Sequence, residues 1–173
     1  GLYRSIDGGV NWVLVSGTDG TTDGIDNDSD GTTDEAGELN LPLGEVSHLV
    51  ADPGNANRFY LAIPGQQLTG GFNSVAPGIY RSDNAGATWR QVNTNIPAAT
   101  LNNARIELAV SAAVTNPVYA AFTSPPGTDS LQAVFRTTDQ GGAWRLIQNQ
   151  QKILPSITRV YRKDQQLYVY AEV

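Results

Sequence analysis

GLYRSIDGGVNWVLV (1–15), GIYRSDNAGATWRQV (78–92) and AVFRTTDQGGAWRLI (133–147) are three copies of one phrase. Each runs from an aromatic through Arg to Ser or Thr, then an acid or Asn, a Gly and a Trp. The recurring positions are Ser5, Asp7, Gly9 and Trp12; Ser82, Asn84, Gly86 and Trp89; and Thr137, Asp139, Gly141 and Trp144. A second phrase precedes the later copies, as VSHLVADPGNANRFYLAI (46–63) and IELAVSAAVTNPVYAAF (106–122), and returns as ITRVYRKDQQLYVYAEV (157–173). Internal repetition at this period is the sequence signature of a repeat architecture.

The repeat is β in character. Short runs rich in Val, Ile, Tyr and Ala alternate with turn clusters such as DPGN, TNP, DGG and NAG. No stretch carries a capped 3.6-residue period, so helix is expected to be minor. Each unit reads as four strands, A to D: Val46–Ala51, Phe59–Ile63, Gly78–Ser82 and Thr88–Val92, then Ile106–Ser111, Val118–Phe122, Val134–Thr137 and Ala143–Ile147. Tandem four-stranded units of this size predict an all-β fold, a β-propeller segment. The expected division is a half-blade at 1–16, an insertion at 17–40, blades at 41–97 and 98–150, and a half-blade at 151–173. This amounts to twelve strands, about three blades, fewer than the four or more that close a ring. Flanking blades are the favoured completion, because an exposed half-blade leaves an unpaired strand edge; pairing of terminal half-blades between molecules is the alternative.

On these motifs the chain resembles the Asp-box, or BNR-repeat, propellers. Ser5-Ile6-Asp7-Gly8-Gly9-Val10-Asn11-Trp12 and Thr137-Thr138-Asp139-Gln140-Gly141-Gly142-Ala143-Trp144 fit S/T-x-D-x-G-x-x-W, and Ser82 to Trp89 fits with Asn84 in the Asp place. The phrasing DPGNANRFYLAIPG followed by GIYRSDNAGATW is most similar to the sortilin (VPS10), xyloglucanase and sialidase-like members. That fold hosts hydrolases, receptors and assembly factors alike, so the resemblance implies a fold rather than an activity. The box itself has a structural use. A short acceptor side chain bonds backbone N–H groups freed by the C–D turn, Gly takes a conformation side chains resist, and Trp covers the hairpin. Arg4, Arg81 and Arg136 occupy equivalent places in successive units, so they cannot converge on one substrate carboxylate as sialidase arginines do; they are expected to be scaffold.

The remaining composition limits the chemistry. The chain has no cysteine and a single histidine, His48, which removes cysteine nucleophiles and His-rich zinc sites and makes a Ser-His-Asp triad a poor reading. Paired carboxylates for glycoside hydrolysis would have to come from Glu45, Glu107 or Asp129, none of which sits in a recognised motif. No basic stripe points to nucleic acid, and no apolar run approaches the ~18 residues of a membrane span.

The formal net charge is −6, but it is concentrated. Residues 19–38 hold eight of the seventeen carboxylates, and elsewhere nine acids face eleven Lys and Arg. This stretch lengthens one D–A connection. Trp12 stands 34 positions before Val46, whereas Trp89 stands 17 before Ile106 and Trp144 stands 13 before Ile157. Long loops without regular structure need another source of order. Asp26, Asp28 and Asp30, then Gly31, the Thr32 carbonyl and Asp34, follow the D-x-D-x-D-G order of a calcium loop. Position 12 is Gly37, so Glu35 or Glu38 would have to complete the shell. A second register overlaps it, using Asp19, Thr21, Asp23, Gly24, the Ile25 carbonyl and Asn27 with Asp30 at position 12. The shared aspartates resemble thrombospondin type 3 loops. The alternatives are a solvated acidic loop and a catalytic cluster. Mutual repulsion among eight carboxylates with no local cation favours Ca2+, which accepts oxygen ligands in flexible geometry.

The expectation is thus a secreted or cell-surface module, non-catalytic and stabilised by calcium. Its loops at 64–77 and 123–132 would contact an extracellular glycan or protein. Part of a secreted glycoside hydrolase, and a self-assembling subunit joined by strand complementation, are the other readings.

Overall fold

The structure, a computed structural model, describes residues 1–65, 76–102, 104–113, 115–123, 130–149, 157–163 and 166–171. The described chain is all-β apart from one short helix. Strands β1 (Tyr3–Arg4) and β2 (Val13–Leu14) form a two-stranded sheet. A four-stranded sheet follows, of β3 (His48–Asp52), β4 (Asn55–Ile63), β5 (Gly78–Ser82) and β6 (Arg90–Gln91). Helix α1 (Ala98–Asn102) leads to a second four-stranded sheet of β7 (Arg105–Val110), β8 (Val118–Thr123), β9 (Leu131–Thr137) and β10 (Arg145–Asn149). Strands β11 (Ile157–Lys163) and β12 (Gln166–Ala171) make a last pair. Every pairing is antiparallel between sequence neighbours, with Tyr60 opposite Arg81 and Tyr119 opposite Arg136. No described helix is long and apolar enough to cross a membrane.

The D-strand boundaries depart from expectation for a common reason. The first D strand shrinks from Thr88–Val92 to Arg90–Gln91, and the second begins at Arg145 rather than Ala143. Amides at the start of each expected strand are already used: Thr88 N–H by Asn84, Trp89 N–H by Asn40, Ala143 N–H by Asp139 and Trp144 N–H by the Thr94 carbonyl. A backbone donor committed to a turn or a neighbouring segment cannot also join the ladder. The first A strand runs His48–Asp52 rather than Val46–Ala51, with Ser47 N–H and hydroxyl still reaching the Ala62 carbonyl of β4.

Packing gives each sheet two distinct faces. In the β3–β6 sheet, Tyr60, Ala62 and Ile79 face one apolar cluster together with Leu108, Phe122, Phe135 and Trp144 of the β7–β10 sheet. The alternate residues Leu61, Ile63, Tyr80 and Trp89 face a second cluster with Val15 and Leu41, against which Leu2 packs. Antiparallel sheets often bury one face and read as alternating sequence. Here both faces are covered, which is why FYLAI (59–63) is apolar without interruption. The first two-stranded sheet and the insertion thus lie on one side of β3–β6, and the β7–β10 sheet on the other.

Candidate metal centre

The three repeat turns close on one set of bonds. Ser5 Oγ accepts Gly9 N–H at 2.8 Å, Asp7 Oδ1 accepts Asn11 N–H at 2.9 Å, and Trp12 Nε1 donates to the Gly9 carbonyl at 3.0 Å. In the second turn Gly86 N–H reaches Ser82 Oγ at 2.8 Å, Thr88 N–H reaches Asn84 Oδ1 at 2.9 Å, and Trp89 Nε1 reaches the Gly86 carbonyl at 3.2 Å. Asn84 thus supplies the acceptor that Asp supplies elsewhere. In the third, Gly141 N–H reaches Thr137 Oγ1 and Ala143 N–H reaches Asp139 Oδ1, but Trp144 Nε1 crosses to the Val92 carbonyl. Gly9, Gly86 and Gly141 all have φ near +80 to +93°, the region that side chains disfavour. The bonds from Asn11, backbone first and then side chain, together with Ser5, hold the Asp7 carboxyl down at about 2. Asp139 is lowered by the Thr137 hydroxyl and then the Ala143 amide. These are turn-building groups, each accepting backbone N–H groups of its own turn.

The insertion is tied down at its base and along one side. Its stem is zipped by Gly17 N–H to the Leu41 carbonyl, Asn40 N–H to Thr18 and Gly20 N–H to Glu38, around an Asp19–Leu39 bridge. A Cβ at Gly20 would stand 2.5 Å from Asn27 Oδ1 and 2.7 Å from Asn40 N, so only glycine lets the two sides approach. The loop then lies along β6. Gln91 N–H donates to the Asn27 carbonyl at 2.7 Å, Asn27 Nδ2 to the Trp89 carbonyl, and Ser29 Oγ to the Gln91 carbonyl at 2.8 Å. Asn40 adds bonds to Trp89 N–H and the Ala87 carbonyl. The acidic run thereby covers an edge strand that would otherwise present free backbone groups.

Within this loop two groups of carboxylates come together, Asp26 with Asp28 and Glu38, and Asp28 with Asp30 and Glu35. In each, one oxygen per residue lies within 4.8 Å of the others. Glu38 is only 5 % exposed. One of its oxygens accepts Asn27 N–H, and the other, Oε2, has no partner. Asn27 Oδ1 and Glu35 Oε2 are buried and equally unpartnered. The Glu35 backbone N–H favours its carboxylate, but desolvation and the charges of Glu38, Asp30 and Asp28 outweigh it and hold the carboxyl above its usual range. A buried carboxylate oxygen without donor or cation is costly. The donor set is all oxygen, which suits a hard divalent cation.

The expected ligands divide. Asp26, Asp28, Asp30 and Glu35 fall in the two groups, and Glu38 joins them. Asp34 instead accepts Gly24 N–H at 2.9 Å, Asp19 accepts Thr21 N–H, and Asp23 accepts Ile25 N–H. The Thr32 amide donates to Asp30 Oδ1. Sequence reasoning missed the docking roles of Asn27, Ser29 and Asn40, since only the fold brings residues some 60 positions apart together. The isolated polar Asn40 in LNLPL (39–43) was the one available signal.

Residues suggested for catalysis are engaged elsewhere or lie outside the description. Glu107 pairs with Arg105 Nη2 at 2.7 Å. His48 Nδ1 accepts Leu108 N–H at 2.7 Å, joining β3 to β7. Asp129 and most of the loops at 64–77 and 123–132 lie outside the described residues. Comparison with protein-family models, curated proteins and solved structures returns no match to the chain.

Proposed function

We propose that the chain is a calcium-stabilised segment of an Asp-box propeller, a non-catalytic binding or structural module that works outside the cell. The observation that carries this reading is Glu38, buried with an unpartnered carboxylate oxygen beside Asp26 and Asp28. A cation there offsets the repulsion that raises Glu35 and satisfies oxygens that no protein donor reaches. The same loop holds the β6 edge through Asn27 and Ser29, so the ion would act on fold stability. Millimolar calcium is available outside cells, where extracellular modules bind it with matching affinity. The three repeat turns and the stacked antiparallel four-stranded sheets support the propeller reading, and the exposed loop side of such a module would contact a glycan or a protein.

Calorimetric titration with calcium, paired with thermal unfolding in calcium and in EDTA, tests the proposal. Binding heat and a melting temperature that falls on chelation are expected. A ligand at a hundred times its Kd stabilises by about 2.7 kcal/mol. An unchanged melting temperature with no binding heat would remove calcium from the account.

A further inference from the structure

A cleft of about 380 Å³ lies between the insertion and the second repeat turn, within the size range of small-ligand sites. The insertion contributes Ile25 and Asp26 to it, and the turn contributes Asp83, Asn84, Thr88 and Arg90. Three guanidiniums converge on Asp83. Arg58 Nε donates to Oδ1 at 2.6 Å, Arg81 Nε and Nη2 donate to Oδ2 at 2.9 and 2.7 Å, and Arg90 Nη2 stands 3.6 Å from that same Oδ2. Arg58 also lies 3.4 Å from Asp52, and Arg81 Nη1 donates to the Gln140 carbonyl at 2.6 Å. Three cations thus face two carboxylates, and Asp83 is taken by the two closer ones. Arg90 is the surplus. Its side chain is 45 % exposed, and among the described residues the one polar contact of its guanidinium is the long ion pair with Asp83.

The neighbouring uncommitted groups are donors as well. Thr88 Oγ1 accepts an amide hydrogen of Asn84 at 2.8 Å, which leaves the hydroxyl hydrogen to donate. Asn84 keeps its second amide hydrogen, while its oxygen accepts from the Ser82 hydroxyl and Thr88 N–H. Surplus donors beside an uncompensated guanidinium select an oxyanion. Among the described residues Ile25 alone brings a hydrocarbon side chain to the lining. The cleft therefore offers no apolar pocket for the anchor a protein partner inserts, whereas its hydroxyl and amide suit a polyhydroxyl ring. Asp26 is the one opposing group. Its oxygens accept Asp30 N–H and Gly31 N–H, and it belongs to the carboxylate group with Asp28 and Glu38. Bare, it repels an anion in the cleft; with a cation on that group its charge is offset.

We propose that this cleft binds the carboxylate or sulfate of an acidic saccharide. Arg90 supplies the ion pair, Thr88 and Asn84 supply hydrogen bonds, and a cation at Asp26 raises the affinity. The proposal rests on reading the chain as a calcium-stabilised binding module, and gives that module a site and a ligand class. The coupling is reciprocal, so the saccharide tightens the hold on the cation by the same factor.

Digalacturonate, a sulfated galactobiose, neutral galactobiose and a short peptide of Asp and Glu would be titrated calorimetrically in calcium and in EDTA, with thermal unfolding alongside. At least one acidic sugar should bind, the tighter one identifying the oxyanion, and the neutral sugar should bind about tenfold more weakly or worse, as for a lost charge-assisted hydrogen bond. Arg90→Gln should show the same loss at an unchanged melting temperature, and the Arg90 Nε–H resonance of the parent chain should shift on titration. Affinity should fall several-fold in EDTA, and Asp26→Asn should recover it there. No acidic sugar bound at millimolar concentration, or equal affinity for neutral galactobiose, would overturn the site. Tighter binding of the peptide would overturn the ligand class, and equal affinities in calcium and EDTA the coupling. Binding that survives Arg90→Gln would leave a binding module with its site elsewhere. If calcium raises the melting temperature while no sugar binds, the cleft falls and the calcium reading stands; if neither occurs, both fall.

Discussion

Residues 5–12 and 82–89 close on matching bonds, to within about 0.2 Å in the Ser, Asp or Asn and Trp contacts, yet their surroundings are opposite. Trp12 is 62 % exposed and Trp89 1 %. Around Trp89 stand Leu61, Ile63, Leu41 and Val15, and its backbone N–H is held by Asn40 from the insertion. Trp12 has the Gly9 carbonyl and little else. The turn is therefore a local device, complete within eight residues, and it forms whether or not anything covers it. What differs is the energy the tryptophan contributes, because apolar stabilisation follows the area removed from water and not the hydrogen bond at the indole nitrogen.

That contrast can be broken most sharply at the indoles. Trp89→Ala is expected to cost about 3–5 kcal/mol in urea unfolding, the range for truncating a buried large aromatic. Trp12→Ala should cost below ~1 kcal/mol, in keeping with surface substitutions. Equal costs would show that Trp12 is buried in solution.

Asn27→Ala sharpens the role of the insertion. It removes the side-chain donor to the Trp89 carbonyl and leaves a buried acceptor short, at about 1–3 kcal/mol. Hydrogen exchange at Gln91 N–H, which the Asn27 carbonyl accepts, should accelerate with it, while exchange in β1–β2 should not change. Faster exchange confined to β1–β2 would contradict the placement of the loop on β6.

Serine at the head of the turn gives a smaller difference. Ser82→Ala strands a buried Gly86 N–H and should cost about 1–2 kcal/mol, and Ser5→Ala, whose Gly9 N–H can turn to water, about half as much or less. Both are read by the same unfolding experiment.

The finest test is acid. Asp7 is held at about 2, below the ~3.9 of an unfolded chain. A lowered folded value contributes stability above the unfolded value and loses it as pH falls from about 4 toward 2. Asn84 has no such titration. Carboxyl chemical shifts across that range should show Asp7 protonating near 2 while the amides of residues 82–89 stay still, and an Asp7 midpoint near 4 would remove the Asn11 and Ser5 bonds from the account.

Much of the fold was legible because it is written in short-range patterns. Strand runs, turn clusters and the three repeat phrases each involve neighbours within about fifteen positions, and they predicted an all-β chain of twelve strands. Boundaries were less legible, since Trp89 and Trp144 amides are taken by Asn40 and Thr94, residues of other segments. For the candidate metal groups, carboxylate spacing indicated a cation loop and named Asp26, Asp28, Asp30 and Glu35. It did not choose between Glu35 and Glu38, and the structure brings in both, in separate groups sharing Asp28.

What the sequence by itself determined is the set of local devices: hairpin turns built from Ser or Thr, Asp or Asn and Gly, alternating strands, and a dense acidic insertion. What only the tertiary structure decided is which of those devices are covered. Glu38 loses its water because the loop folds back on β6, and Trp89 is buried because Val15 and Leu41 arrive over it. Hydrogen-bond geometry is set by a few adjacent residues, whereas desolvation depends on whatever distant segment arrives to exclude the solvent.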